Sequence, residues 1–231
     1  MEALSRTVYI VTMEMDPSHE DELNRWYAEE HLPALLAVPG YRSARRYVAV
    51  EGEPKYMAFW EIDSIEAFRS QERQVAINTP WSDRLKPHRQ SQLAIYEQVF
   101  PTEGVRRGPA WGDGRTEEGG LMVIRIDVAP EDEADFNAWY DEEHLPALCA
   151  VPGVIAARRF RALEGEPKYM AVYSLTGPEV QASAPWKRAI DTPWSARVRQ
   201  TFRTRWRCVY RPIGPRIEAP AAAAHARSVD R

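Results

Sequence analysis

The chain lacks most of the signatures that announce a chemistry at first sight. There is no HExxH, no clustered Cys/His set, no P-loop, no GxGxxG after a strand and no GxSxG. These gaps remove zincin, phosphate-loop, dinucleotide and serine-hydrolase readings, and no metal ligand set is expected. Cysteine is scarce. Cys149 and Cys208 are the only two in 231 residues, and by internal alignment they replace Leu36 and approximately Ile95, so buried free thiols are expected. No stretch approaches the ~18 apolar residues of a membrane helix. The start, MEALSRTVYIV, has no basic segment followed by an apolar run and no small-residue cleavage site, so a cytoplasmic protein is expected. Neither sign of charge dominates: the net charge is −4 with both signs dispersed, which argues against nucleic acid as a partner. A small molecule is the expected partner, with no nucleic acid and no membrane.

What the chain does have is a repeat. WYAEEHLPALLAVPG, Trp26 to Gly40, returns 113 residues later as WYDEEHLPALCAVPG, Trp139 to Gly153. The same offset holds at EGEPKYMA (Glu51 to Ala58, Glu164 to Ala171) and at TPWS (Thr79 to Ser82, Thr192 to Ser195). One unit of roughly a hundred residues is written twice. Each alone would be marginal, because a chain of ~100 residues buries a modest share of its surface. The expected state is a monomer with an internal pseudo-dimer, or a homodimer of it.

Each copy reads as β-α-β-β-α-β. Thr7 to Met15 and Gly120 to Val128 are β-branched, aromatic and apolar first strands. In the second copy Met122, Ile124 and Ile126 form an apolar row, and Leu121, Val123, Arg125 and Asp127 a mixed one. Helix one follows, with Ser18 and Asp21 approximating a capping box. It carries Leu23, Tyr27 and His31 on one side, as Phe136, Tyr140 and His144 repeat. Pro33 and Pro146 are expected to end or kink it near each histidine. Pro-Gly turns lead to second strands (Tyr41 to Val50, Val154 to Leu163), EGEP hairpins to third strands, and second helices follow from Ser64 and in PEVQASAPWKRAI. Fourth strands run from Gln92 to Phe100 and roughly from Arg205 to Pro212. The expected domains are 1–100 and 120–212, with a linker at 101–119 and a disordered tail at 213–231 in which His225 is inert. The fold class is α+β: two ferredoxin-like units forming an intramolecular pseudo-dimeric barrel, with a ligand expected between the sheets.

The motif carried by Trp26, Tyr27, His31, Pro33, Pro39 and Gly40, and again by Trp139, Tyr140, His144, Pro146, Pro152 and Gly153, resembles the helix-one signature of the dimeric α+β barrel superfamily, in particular its EthD-like branch. That resemblance covers both units but not the linker or tail. It implies the fold and a range of activities: cofactor-free monooxygenases, cyclases, isomerases, decarboxylases, dehydratases and haem-dependent enzymes.

His31 and His144 are the candidate acid–base residues, since a histidine exchanges protons near neutral pH. A structural helix-end role stands beside that reading. Tyr27 and Tyr140 either orient the imidazole or pack. Arg125, where the first copy has Thr12, is either an electrostatic clamp on a developing enolate or an internal ion pair. Arg45 and Arg158 on the second strands, Trp60 and Tyr173 on the third, Trp26 and Trp139, and Trp81 and Trp194 in TPWS are candidate substrate contacts, with core packing as the alternative for each. The expected function is a cofactor-independent lyase or isomerase acting on a small carbonyl or aromatic, polyketide-like compound. A non-catalytic binding or structural module, and a cofactor-free or haem-dependent monooxygenase, are the alternatives.

Overall fold

A computed structural model describes residues 5–220. The chain divides into two compact units, one holding residues up to 47, 54–95 and those from 213, the other 48–53 and 96–212. In the first unit β1 (Thr7–Met15), β2 (Tyr41–Glu51), β3 (Tyr56–Ile62) and β4 (Arg89–Phe100) lie in the order β4-β1-β3-β2. The second contains the two-residue β5 (Arg106–Arg107), then β6 (Gly120–Val128), β7 (Val154–Glu164), β8 (Tyr169–Leu175) and β9 (Phe202–Glu218), in the order β9-β6-β8-β7-β5. Counted within each copy, both orders are 4-1-3-2, the ferredoxin-like arrangement expected from the repeat.

Three boundaries differ from expectation. The stretch 101–119 is not a plain linker: β5 pairs antiparallel with β7, Arg106 opposite Ala157. Gly108 makes this close approach possible, since a Cβ there would lie 2.2 Å from the Val154 carbonyl oxygen. The fourth strand of the second copy does not stop near Pro212 but runs to Glu218. Arg216 pairs with Glu61 at 2.9 Å and Ala219 N–H donates to the Arg42 carbonyl at 2.7 Å, so residues 213–218 are ordered by ladder bonds and charge. Residues 221–231, His225 among them, lie outside the described residues. Finally, β2, β4 and β9 are each shared between the units, so neither unit is one continuous stretch.

Helix one departs from expectation in an informative way. It does not end at the histidine. In the first copy α1 (Glu20–Trp26) passes through a π-helical turn, Tyr27–His31, into α2 (Leu32–Leu36). In the second, α6 (Glu133–Ala138) passes through Trp139–His144 into α7 (Leu145–Cys149). Leu32 N–H bonds the Tyr27 carbonyl and Leu145 N–H the Tyr140 carbonyl, each five residues back. Pro33 and Pro146 follow directly. A proline has no N–H to give and its ring collides with the carbonyl four residues earlier; the widened turn moves that carbonyl away and lets the helix continue. The start of the helix also differs, since Asp16, not Ser18, takes the capping role by accepting from Ser18 N–H at 2.9 Å.

The turn after α7 reaches β7 through Gly153 at φ +90°, where a Cβ would meet Val180 at 2.7 Å, so both conformation and space select glycine. The second-helix region is broken in each copy. The first has α3 (Ile65–Arg69) and α4 (Gln71–Ile77), separated at Ser70; the second has a 3-10 turn before α8 (Ala184–Ala189), with Pro185 in the first helical turn. TPWS is a helix start. Thr79 opens α5 (Pro80–Leu85) and Thr192 opens α9 (Pro193–Val198), each hydroxyl accepting from the serine N–H three residues on at 3.0 Å. The same hydroxyls donate to Glu30 and Glu143 of helix one, at 2.5 and 2.6 Å. Thr192→Ala removes a cap and that link, and should cost about 1–2 kcal/mol, read as a lowered urea midpoint at unchanged slope.

Candidate functional site

Strand alternation decides which residues reach helix one. On the second sheet, Met122 stands opposite Tyr173 and Val209, and Ile124 opposite Ala171 and Arg207. This row faces the helices and joins the core of Phe136, Trp139, Tyr140, Leu148 and Trp186. Arg159 stands opposite Ala171 on the same row. Arg125 and Arg158 belong to the other face.

A cavity of about 60 Å³ opens on the helix-facing side of this sheet. His144, Trp139 and Tyr140 form its helical wall, Ile124 and Tyr173 part of its floor, and Trp186 and Phe202 part of its sides. Arg199, Arg205 and Arg207 complete the lining. The His144 ring stacks on Trp139, centroids 4.1 Å apart and planes at 28°, and meets Tyr140 edge-on at 5.1 Å. The stacked pair lies five residues apart, a spacing that the π turn brings onto one face. His144 is 8% exposed and its Nδ1 has no hydrogen-bond partner. Burial, with the Arg199 and Arg159 charges added, pushes its pKa down to about 3, so the imidazole is neutral at physiological pH. Burial raises Tyr140 to about 12 and Tyr173 well above the usual phenol range, so both remain hydroxyl donors. The Tyr173 hydroxyl lies beside that of Tyr140. An unsatisfied imidazole nitrogen in an aromatic pocket, with arginines on the lining, is suited to a small ligand bearing an ionisable oxygen.

The first unit repeats the helical wall. His31 stacks on Trp26 at 4.1 Å and meets Tyr27 edge-on at 5.1 Å and Trp60 at 5.8 Å. Its pKa is also lowered to about 3, by burial and then by Arg89, Arg73 and Arg46. Trp186 of the second copy corresponds to Arg73 in the first, so the two sites share a wall and differ in charge.

Several expected contacts fall elsewhere. The cavity described lies between helix one and the sheet of its own unit. Arg125 is not beside His144: its Nε donates to the Tyr96 hydroxyl at 3.1 Å, its guanidinium reaches the Glu166 carbonyl and lies 5.3 Å from the Trp206 ring. It is 3% exposed, and these contacts do not include Asp127. Arg158 donates to Gln98 at 2.5 Å and Arg45 to the Gly214 carbonyl at 3.3 Å, so neither faces the helices; the arginines under helix one are Arg46 and Arg159. Trp81 and Trp194 do not line the cavity. They donate to Glu22 and Asp135 at 3.1 and 3.0 Å and tie α5 and α9 to helix one. Cys149 and Cys208 are free and buried as expected, with thiols pushed up to about 12 and 11 by burial. Trp186, Arg199, Arg205 and Arg207 were missed, because no motif marks them and all four lie outside the repeated landmarks. The fold also brings Asp16, His19 and His88 within 4.8 Å of one another, a grouping 69 residues of sequence conceal. The two imidazoles stack at 3.6 Å and Asp16 is occupied by Ser18.

No family model matches the chain, and no curated protein matches its sequence. Solved structures do match. An anthrone oxidase-like protein aligns with a TM-score of 0.65 at 14% identity, over 95% of this chain and 94% of its own. A provisionally named monooxygenase from Fusobacterium nucleatum gives 0.57 at 11%, over 93% and 94%. A chlorite dismutase mutant from Candidatus Nitrospira defluvii gives 0.54 at 13%, over 89% and 90%. What is shared is the fold. The expected class stands: α+β, two ferredoxin-like repeats of the pseudo-dimeric barrel type. Structures of this fold include catalytic proteins, and among the described residues no helix is long and apolar enough to cross a membrane.

The haem expected as one alternative does not fit this cavity. Its volume of about 60 Å³ is a small fraction of what a tetrapyrrole needs, and the face of the His144 ring is taken by Trp139 at 4.1 Å.

Proposed function

We propose that the second unit is a cofactor-independent enzyme site that removes a proton from a small, single-ring phenol or enolisable carbonyl compound, with His144 as the base. The observation that carries this is the buried, neutral imidazole with an unpartnered nitrogen, set in an apolar cavity whose lining includes three arginines. An imidazole of pKa about 3 is a weak base taken alone. The arginine field that disfavours imidazolium also favours the enolate or phenolate, so the proton-transfer gap is smaller than the histidine value suggests. Tyr140 and Tyr173, held as phenols, are placed to donate to the developing oxyanion. Return of the proton at another carbon makes an isomerase, and loss of a leaving group makes a lyase. The duplicated helix-one motif around His31 and His144 supports an EthD-like assignment beside this reading.

A second reading is favoured by the names of two similar structures, an oxidase-like protein and a monooxygenase: the same carbanion is captured by dioxygen. The first step is common to both. A panel of single-ring phenols and β-dicarbonyl compounds in D2O should show enzyme-dependent exchange at the acidic carbon, and His144→Ala should slow it by about 10²-fold or more. Exchange unaffected by His144→Ala would sink the proposal, and an oxygen electrode on the active compound separates the two outcomes.

A further inference from the structure

The two copies treat one buried arginine differently. In the second unit Arg159 is 1% exposed and lies 4.3 Å from the Tyr140 ring. It is fully compensated, with Nη1 on the Asp141 carboxylate and Nη2 donating to Asn137 Oδ1 at 2.8 Å. In the first unit Arg46 holds the same place, 6% exposed and 4.0 Å from the Tyr27 ring. Asn24 matches Asn137, but the position of Asp141 is taken by Ala28. The link to the asparagine is missing as well. Arg46 Nη2 has no hydrogen-bond partner, and Asn24 Oδ1 has none either. Among the described residues no carboxylate pairs with Arg46. The phenols Tyr27 and Tyr56 lie beside it, and burial lowers its pKa.

A buried guanidinium without a counter-charge is strongly unfavourable. The neighbouring arginines are placed alike. Arg73 is 8% exposed, lies 3.7 Å from the Phe68 ring and leaves Nε unpartnered, and Arg89 stands 5.1 Å from the Trp26 ring. Three arginines therefore surround His31 with rings rather than with acids. Ala28 is exposed, so the place of the carboxylate side chain opens to solvent.

We propose that the first unit binds a small monocarboxylate, whose carboxylate takes the position on Arg46 that Asp141 occupies on Arg159. The ligand supplies from outside the charge that the second copy carries in its own chain. Tyr27 and Tyr56 flank the guanidinium and favour a flat acid over an aliphatic one. This site is independent of the chemistry assigned to His144.

The test is calorimetric titration of the full chain with sodium benzoate and with sodium acetate, each against sodium chloride at equal ionic strength. The wild type should show one saturable carboxylate site that chloride does not reproduce, with benzoate the tighter. Ala28→Asp builds the internal counter-charge. It should raise the melting temperature without ligand and weaken benzoate binding by about tenfold or more, while Ala28→Asn should weaken it less. Asp141→Ala, if it folds, should add a second benzoate site. The proposal is overturned if benzoate behaves as chloride does, the guanidinium being served by water alone, or if Ala28→Asp binds benzoate as the wild type does.

Discussion

Lowering the pH from 7 towards 4 is expected to destabilise this protein well beyond what its carboxylates require, and His144 and His31 are the reason. Both imidazoles have pKa values near 3 in the folded chain against an ordinary 6.5. Above pH 6.5 neither state binds the proton, so nothing is lost. Below it the unfolded chain takes up a proton at each histidine that the folded chain refuses, and stability falls as pH drops until the folded value is reached near 3. The limiting slope is about 1.4 kcal/mol per pH unit for each histidine, and water reaching the partly buried His31 makes its share smaller. Urea midpoints measured from pH 7.5 to 4 should therefore fall steeply, and His144→Phe, which keeps a ring to stack on Trp139, should flatten the curve. Parallel curves for wild type and variant would show that His144 is not held neutral by burial.

The fold was legible because the repeat doubles every signal. Strand periodicity, the Pro-Gly turns and the TPWS helix starts each appear twice, and their order leaves one topology. The site was legible in part. Spacing placed the histidine and tyrosine on one side of helix one, and the proline marked an end or kink without showing which. The widened turn is a backbone solution to Pro33 and Pro146 that no residue announces, and it is what swings Trp26 and Trp139 onto the histidines. The arginines failed for a simpler reason. Arg45-Arg46 and Arg158-Arg159 are adjacent, alternation sends one of each to either face, and only the pairing register says which. That register puts Arg46 and Arg159 beneath helix one. Arg199, Arg205 and Arg207 reach the cavity lining from the last turn and strand, where the copies no longer align without a gap.

The acid directly before each histidine, Glu30 and Glu143, ties helix one to the helix that TPWS opens. Glu30 and Glu143 accept from the capping threonines of α5 and α9, and Glu30 also accepts from the Trp26 indole at 2.9 Å. In the second copy the Trp139 indole turns to Ser195 instead, at 3.1 Å. The clamp that holds helix one is thus common to both units, while the groups near each histidine have diverged: Arg73 against Trp186, Ala28 against Asp141. Duplicated walls with different charge suit two different ligands better than two copies of one pocket.

Trp139→Ala should give the largest loss of stability of any single change near the site. The indole is 1% exposed, stacks on His144, and meets Tyr140 at 4.7 Å and Phe136 at 6.2 Å. Truncating a buried tryptophan costs about 3–5 kcal/mol. Ser195, 0% exposed, also loses the hydrogen bond it accepts, a further ~1 kcal/mol, so the upper part of that range is expected. Trp139→Phe separates the two contributions, because it keeps a ring against His144 and removes only the N–H and part of the area; about 1–2 kcal/mol is expected there. The variants should differ at the histidine as well. With alanine, water enters beside the imidazole, its pKa climbs back towards 6.5, and the acid-dependent part of the stability curve assigned to His144 shrinks. With phenylalanine the site stays dry and the slope persists. Denaturation of the three proteins at pH 7.5 and 5 reads both effects. A loss below about 1 kcal/mol for Trp139→Ala, with an unchanged pH slope, would mean that the stacked pair neither holds the helix nor excludes water from the base.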